Sequence, residues 1–266
     1  MAIASLLTLG WAGTKRGRSF LRRSASRLVA QALVLRSRSL RHAELLTVLV
    51  IAPHPDDESF GCGGTLALIA NTNPSVHVLF ITDGGASHPK HPVITPTILV
   101  ATRVEEARLA TQNLGIDWSH VTFMNEQDGS LSGLKEDRRR QVAGGIASLM
   151  AVVRPDAVFL PGRSDGSSEH EEAFALVREA IALAGVCPRI LEFPVWSWWN
   201  PLLMARSVFA PQRIWRVDVR TARDAKARAM ACYASQTTPI PPDTDPALPE
   251  GFALMFLGGY EFYIEH

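Results

Sequence analysis

Five consecutive residues, His54-Pro55-Asp56-Asp57-Glu58, place one imidazole and three carboxylates directly after an apolar, β-branched run from Leu46 to Ala52. Unpaired charges at the end of a buried strand are costly. A metal ion would remove that cost, because His and Asp are both zinc ligands and a further carboxylate beside the ion can act as a base. His54 and Asp57 stand three residues apart across a turn that Pro55 restricts, so both can point at one ion. Asp56 points differently from its neighbour Asp57 and is left to accept a proton from water. Glu58 is expected to orient the loop or cap the following helix. A catalytic zinc site takes three protein ligands and keeps a position open. His170, expected at a helix start after the fourth strand, is chosen as the third ligand.

Those residues, followed by Gly63-Gly64-Thr65, resemble the signature of the PIG-L / LmbE-like N-acetylglucosaminyl deacetylases. That signature is a hydrophobic strand, then A-H-P-D-D-E, then Gly-Gly and a helix. Pro53 stands where the signature has Ala, with Ala52 one place earlier. A second block, Arg163 to Glu171, resembles the family segment whose last His completes the metal site, here His170. Arg103-Val104-Glu105-Glu106-Ala107, and Lys226 followed by Ser235-Gln236, are also similar to the family. The likeness covers about residues 46–266.

The resemblance implies a Rossmann-like fold, a zinc ion or another divalent transition metal, and removal of an acetyl group from an N-acetylated amino sugar or glycoconjugate. It gives Asp56 the role of base. The family pattern has a further His three residues before the last ligand, and this chain has Ser167 there. A hydroxyl is a poor proton donor at neutral pH, so Ser167 is expected only to bind substrate. His88, His91 or His120 are the imidazoles left to substitute. Asp165 is expected to orient a ligand or the base. Arg103 either contacts a sugar hydroxyl or phosphate or pairs with Glu106 one turn on. Trp196, in the run Phe193 to Trp199, either offers a sugar-stacking face or belongs to a packed edge-strand cluster. The reading from another class is a non-catalytic or altered carbohydrate-binding protein on the same fold. A nucleotide enzyme is disfavoured, because Gly61-Cys62-Gly63-Gly64 lacks the G-x-G-x-x-G spacing.

The elements that must position these groups alternate. Strands are predicted over 46–52, 76–82, 120–124, 157–160 and 189–195, and helices over 60–70, 98–114, 136–153, 171–184 and 223–235. This order predicts an α/β fold, a mostly parallel sheet with helices on both faces. Further strands are predicted over 207–209, 215–219 and 261–264. In such sheets ligands bind beyond the carboxyl ends of the strands. His54, Asp56 and Asp57, then Asp83, then Asn125 and Asp128, then Asp165 and His170 all fall on that edge.

Across 266 residues the net charge is +1, which argues against nucleic acid as a partner. The charge is uneven: residues 1–43 hold nine Lys or Arg and no acid, and the remainder is net acidic. Residues 1–45 are therefore read as a basic N-terminal extension before a domain spanning 46–266, with a helix over 20–35. Either it packs as a tail or helix on the domain, or it rests on an anionic membrane surface. Three scattered cysteines argue against a disulfide framework and for a reducing compartment. With no apolar run near the ~20 residues of a membrane span, the expected location is cytoplasmic, with peripheral membrane contact as the alternative.

Overall fold

A computed structural model describes residues 15–72, 75–209 and 211–265. Five parallel strands form the body of the sheet: β2 (Val48–Ala52), β3 (Val76–Thr82), β4 (Val121–Glu126), β5 (Ala157–Pro161) and β6 (Arg189–Phe193). Beyond β6 lie β8 (Tyr260–Glu265), antiparallel to both its neighbours, then β7 (Arg213–Asp218) and the two-residue β1 (Arg38–Ser39). The spatial order is β1-β7-β8-β6-β5-β2-β3-β4. The chain runs outward from β2 through β3 to β4, then returns to the other side of β2 for β5. The switch point thus lies between β2 and β5, where a doubly wound sheet opens its ligand crevice.

Both faces of the sheet are covered, which explains why β2 reads as an unbroken apolar run rather than an alternating one. Val48, Val50 and Ala52 face one layer, with Phe60 and Leu66 of helix α2 (Asp57–Thr72). Leu49 and Ile51 face the other, with Val142 and Ile146 of α4 (Glu136–Val153) and Leu176 of α5 (Ser168–Ala184). Helix α3 (Pro96–Asn113) starts at Thr95, whose side chain accepts the amide of Ile98, with Pro96 at the first position. Helix α8 (Arg223–Cys232) packs against α2 and α3.

Helix α2 begins at Asp57 rather than near residue 60, so Asp57 and Glu58 occupy its first turn. Its glycines permit close approach to the sheet. A Cβ on Gly61 would come within 2.1 Å of the Phe193 ring, and one on Gly64 within 2.7 Å of Val219.

One expectation changes, and one pair of alternatives is narrowed. Residues 207–209 are helical, the end of α7 (Pro201–Phe209), not a strand. The apolar Ser207-Val208-Phe209 reads as a strand only in isolation; it continues a helix that packs on the N-terminal segment. That segment is helix α1 (Lys15–Arg36) followed by β1, which pairs with β7. Leu33, Leu40 and Leu45 lie in the core with at most 4% exposure. Among the described residues the basic segment is therefore built into the sheet edge, the packed-helix alternative. Residues 1–14 fall outside the described residues. No described helix is long and apolar enough to cross a membrane.

Candidate metal centre and active site

His54 and Asp57 leave the end of β2, and His170 leaves the first turn of α5, after β5. The three residues, brought together across the switch point, offer ligand atoms within 4.8 Å of one another. Asp57 is central. One of its oxygens lies 3.3 Å from His170 Nε2, and the other lies 3.3 Å from His54 Nδ1 while accepting the His54 amide at 2.9 Å. That amide bond closes the turn and aims the carboxylate inward.

His170 is fully buried. Its Nδ1 lies 2.8 Å from Asp165, and its Nε2 is a buried nitrogen with no hydrogen-bond partner. An orphaned imidazole nitrogen facing a carboxylate fits a cation between them. The carboxylate beyond Nδ1 holds the ring in the tautomer a ligand needs. The electrostatics agree. Burial lowers the His170 pKa, but Asp57 and Asp165 push it up to about 9. Burial lowers His54 too, yet Asp128, Asp57 and Glu169 raise it well above its ordinary value. Burial raises Asp57, and the two histidines overcome this and hold it far below the carboxylate range. The cluster draws in positive charge, and a divalent cation would compete for it with protons.

Asp56 does not join the ligand group. It stands at φ 138°, a strained conformation for a residue with a Cβ. Its amide donates to Glu58 Oε2 at 3.0 Å, and Glu58 is itself held by Ser59 and by Tyr233 Oη at 2.7 Å. Glu58 is fully buried, and burial pushes its carboxyl up to about 7. Arg103 reaches over from α3. It donates from Nη1 to Asp56 at 3.3 Å and from Nη2 to the carbonyl of Pro55. Burial raises Asp56 to about 6, with the Arg103 charge opposing the rise.

A cavity of about 270 Å³ opens over these groups. Asp56, Arg103 and Asp128 form its polar wall; Phe60, Val195, Trp196 and Phe252 form its apolar wall. Trp196 begins a one-turn helix, α6 (Trp196–Trp199), with its ring 5.0 Å from that of Phe252. It belongs to no edge strand, since β6 ends at Phe193. Asp165 sets this turn: it accepts the amides of Val195, Trp196 and Ser197 at 2.8 to 3.0 Å and the Ser197 hydroxyl at 2.6 Å. One carboxylate thus fixes both His170 and the aromatic wall.

Several candidates fall elsewhere. Ser167 is half-buried at the cap of α5 and does not line the cavity. Arg103 does not pair with Glu106, whose two oxygens take the amide and hydroxyl of Ser235 at 2.7 Å. His88 and His91 also stay off the cavity wall. His91 is engaged with Ile240 and with the amides of Val93 and Ile94. His120 stacks on His77 at the far end of its strand.

Two residues went without a role in the sequence reading. Glu169 lies 2.7 Å, and Asp128 3.2 Å, from His54 Nε2, and the three form a second group able to hold a cation. Each carboxylate is also anchored by a backbone amide: Glu169 by Leu131, Asp128 by Ala86. Asp128 carried a signal, its place on the strand edge after β4. Glu169 carried only its adjacency to His170.

A Rossmann-like sheet that closes two histidines and an aspartate around one point at its switch, with a further carboxylate beside them, defines a metal-dependent hydrolase. The chain belongs to the PIG-L family, described as GlcNAc-PI de-N-acetylase, which it matches over residues 49–181. Diacetylchitobiose deacetylase of Thermococcus kodakarensis is 26% identical over 194 residues, 71% of this chain and 69% of that protein. A probable N-acetyl-α-D-glucosaminyl L-malate deacetylase 2 of Bacillus anthracis is 30% identical over 139 residues, 51% of this chain and only 59% of that protein. The conserved protein TT1542 from Thermus thermophilus has a similar fold, with a TM-score of 0.59 at 26% identity over 82% of this chain and 94% of that one.

Proposed function

We propose that the chain is a zinc-dependent deacetylase acting on the acetamide of an N-acetylated amino sugar or glycoconjugate. The observation that carries this is the orphaned Nε2 of His170 facing Asp57, with Asp56 beside them but outside the ligand group. His54, Asp57 and His170 would hold the ion. When bound, it supplies Lewis-acid polarisation of the acetamide carbonyl and a lowered pKa for water. Asp56 accepts the proton as water adds to the carbonyl carbon. As the C–N bond breaks, Asp56 returns that proton to the amine nitrogen, and acetate and a free amine leave.

Arg103 holds Asp56 in its strained position, so it positions the base rather than reading the sugar. Trp196 offers an indole face to the apolar side of a sugar ring, opposite the polar wall. Names of relatives support the substrate class, since two act on N-acetyl sugars by their descriptions.

The test combines metal content of the purified protein with amine release from a panel of N-acetylated sugars. About one zinc per chain and release of free amine are expected. Bound zinc without release from any member of the panel would favour a carbohydrate-binding protein instead.

A further inference from the structure

A second cavity, also about 270 Å³, lies between α1 and the chain around residues 254–262. Arg23, Arg27 and Arg223 line it, and no carboxylate does among the described residues. None of the three makes a hydrogen bond or ion pair among the described residues, and Arg23 Nε is buried without a partner. Asp224, the acid next to Arg223 in sequence, does not reach the cavity wall. Three guanidinium groups around one cavity repel each other, and among the described residues no carboxylate of the lining offsets that charge. The opposite wall is apolar: Trp198, Leu254, Met255 and Phe262.

Guanidinium forks match phosphate oxygens two at a time. The geometry points to a site for a phosphate group, with the apolar wall taking a chain attached to it. The surroundings favour a lipid as the source. Leu254 at the cavity is 55% exposed. Leu21, Leu28 and Leu35 recur every seven residues along α1 and are 50%, 68% and 90% exposed. Arg22 and Arg27 lie on either side of this leucine stripe around the helix. An outward apolar stripe with flanking cations suits the headgroup region of an anionic bilayer. The proposal is independent of the metal centre, since none of these residues lines the catalytic cavity.

The test uses the full chain and an Arg27→Gln/Arg223→Gln variant, both sites being exposed. The wild type is expected to co-sediment with phosphatidylglycerol vesicles and not with phosphatidylcholine vesicles, and to dissociate as salt rises. The variant should bind roughly tenfold to thirtyfold more weakly, from two lost cations near the surface. Its amine release from a small N-acetyl sugar should match the wild type. Calorimetry with inorganic phosphate separates the sources: phosphate binding without vesicle binding keeps the anion site and overturns its lipid source. Equal binding of phosphatidylglycerol and inorganic phosphate by the variant and the wild type, or binding of neither by the wild type, overturns the site itself.

Discussion

Asp165 lies 2.8 Å from His170 Nδ1 and, with the same carboxylate, gathers the backbone of the Val195 to Ser197 turn. The proposed metal ligand and the aromatic wall therefore share one anchor. An Asp165→Asn change puts an amide where a carboxylate oriented the ring. Metal affinity should fall about 10- to 100-fold, read by competition with a chelator. Apparent KM should rise as well, because Trp196 loses its support. Unchanged metal affinity would refute the anchoring role.

Asp56→Asn should lower turnover by ~10²–10⁴-fold, the usual contribution of a general base. Metal content should stay near the wild-type value, since Asp56 stands outside the ligand group. Loss of metal with full turnover per remaining ion would mean that Asp56 and Asp57 have exchanged roles.

The pH profile follows from the same pair. Burial raises Asp56 to about 6 while the Arg103 cation pulls it down. A base must be ionised, so activity should fall as pH drops through that region, and a bound cation would move the limb lower still. Removing the guanidinium withdraws the lowering influence. Arg103→Gln should therefore shift the acid limb of log kcat to higher pH, measured at saturating metal. An unshifted limb would show that Arg103 does not hold the base.

The parallel sheet and its ligand edge were legible in the sequence because both are local patterns. Buried strands read as apolar runs, and the polar residues that end them stand out against the core. His54, Asp57 and His170 were legible for that reason. The contacts of Glu169 and Arg103 were not. Glu169 meets His54 across 115 positions of chain, and Arg103 meets Asp56 across 47. Spacing along a helix suggests the neighbour one turn away, Glu106, and carries no sign that Ser235 claims it. For the N-terminal segment, composition left the packed helix and the membrane surface both open: arginines and serines mask Leu33 and Leu40, which only tertiary packing buries.

A buried ion pair ties α2 to the late chain. Lys226 Nζ lies 2.5 Å from Glu261 and donates to the carbonyl of Phe60 at 2.7 Å. Glu261 in turn takes the amides of Gly64 and Thr65 at 2.8 Å. Both side chains are nearly inaccessible. Lys226→Met leaves Glu261 a buried charge with no cation, and breaking such a pair costs about 3–5 kcal/mol. Chemical denaturation should show that loss. A change under about 1 kcal/mol would mean that the backbone and hydroxyl donors alone satisfy Glu261.

Removal of residues 1–43 tests whether the basic segment is separable. It deletes β1, which pairs with β7, and it strips Leu33 and Leu40 from the core. Burial of a leucine side chain contributes about 1.5–3 kcal/mol, so two of them amount to a large share of the ~5–15 kcal/mol that keeps a domain folded. The edge of β7 would also be exposed to pairing with other chains. The truncated protein should therefore melt well below the full chain and self-associate, as thermal denaturation and size-exclusion chromatography would show. A soluble monomer with unchanged melting and unchanged small-sugar turnover would establish instead that the catalytic domain begins after residue 43.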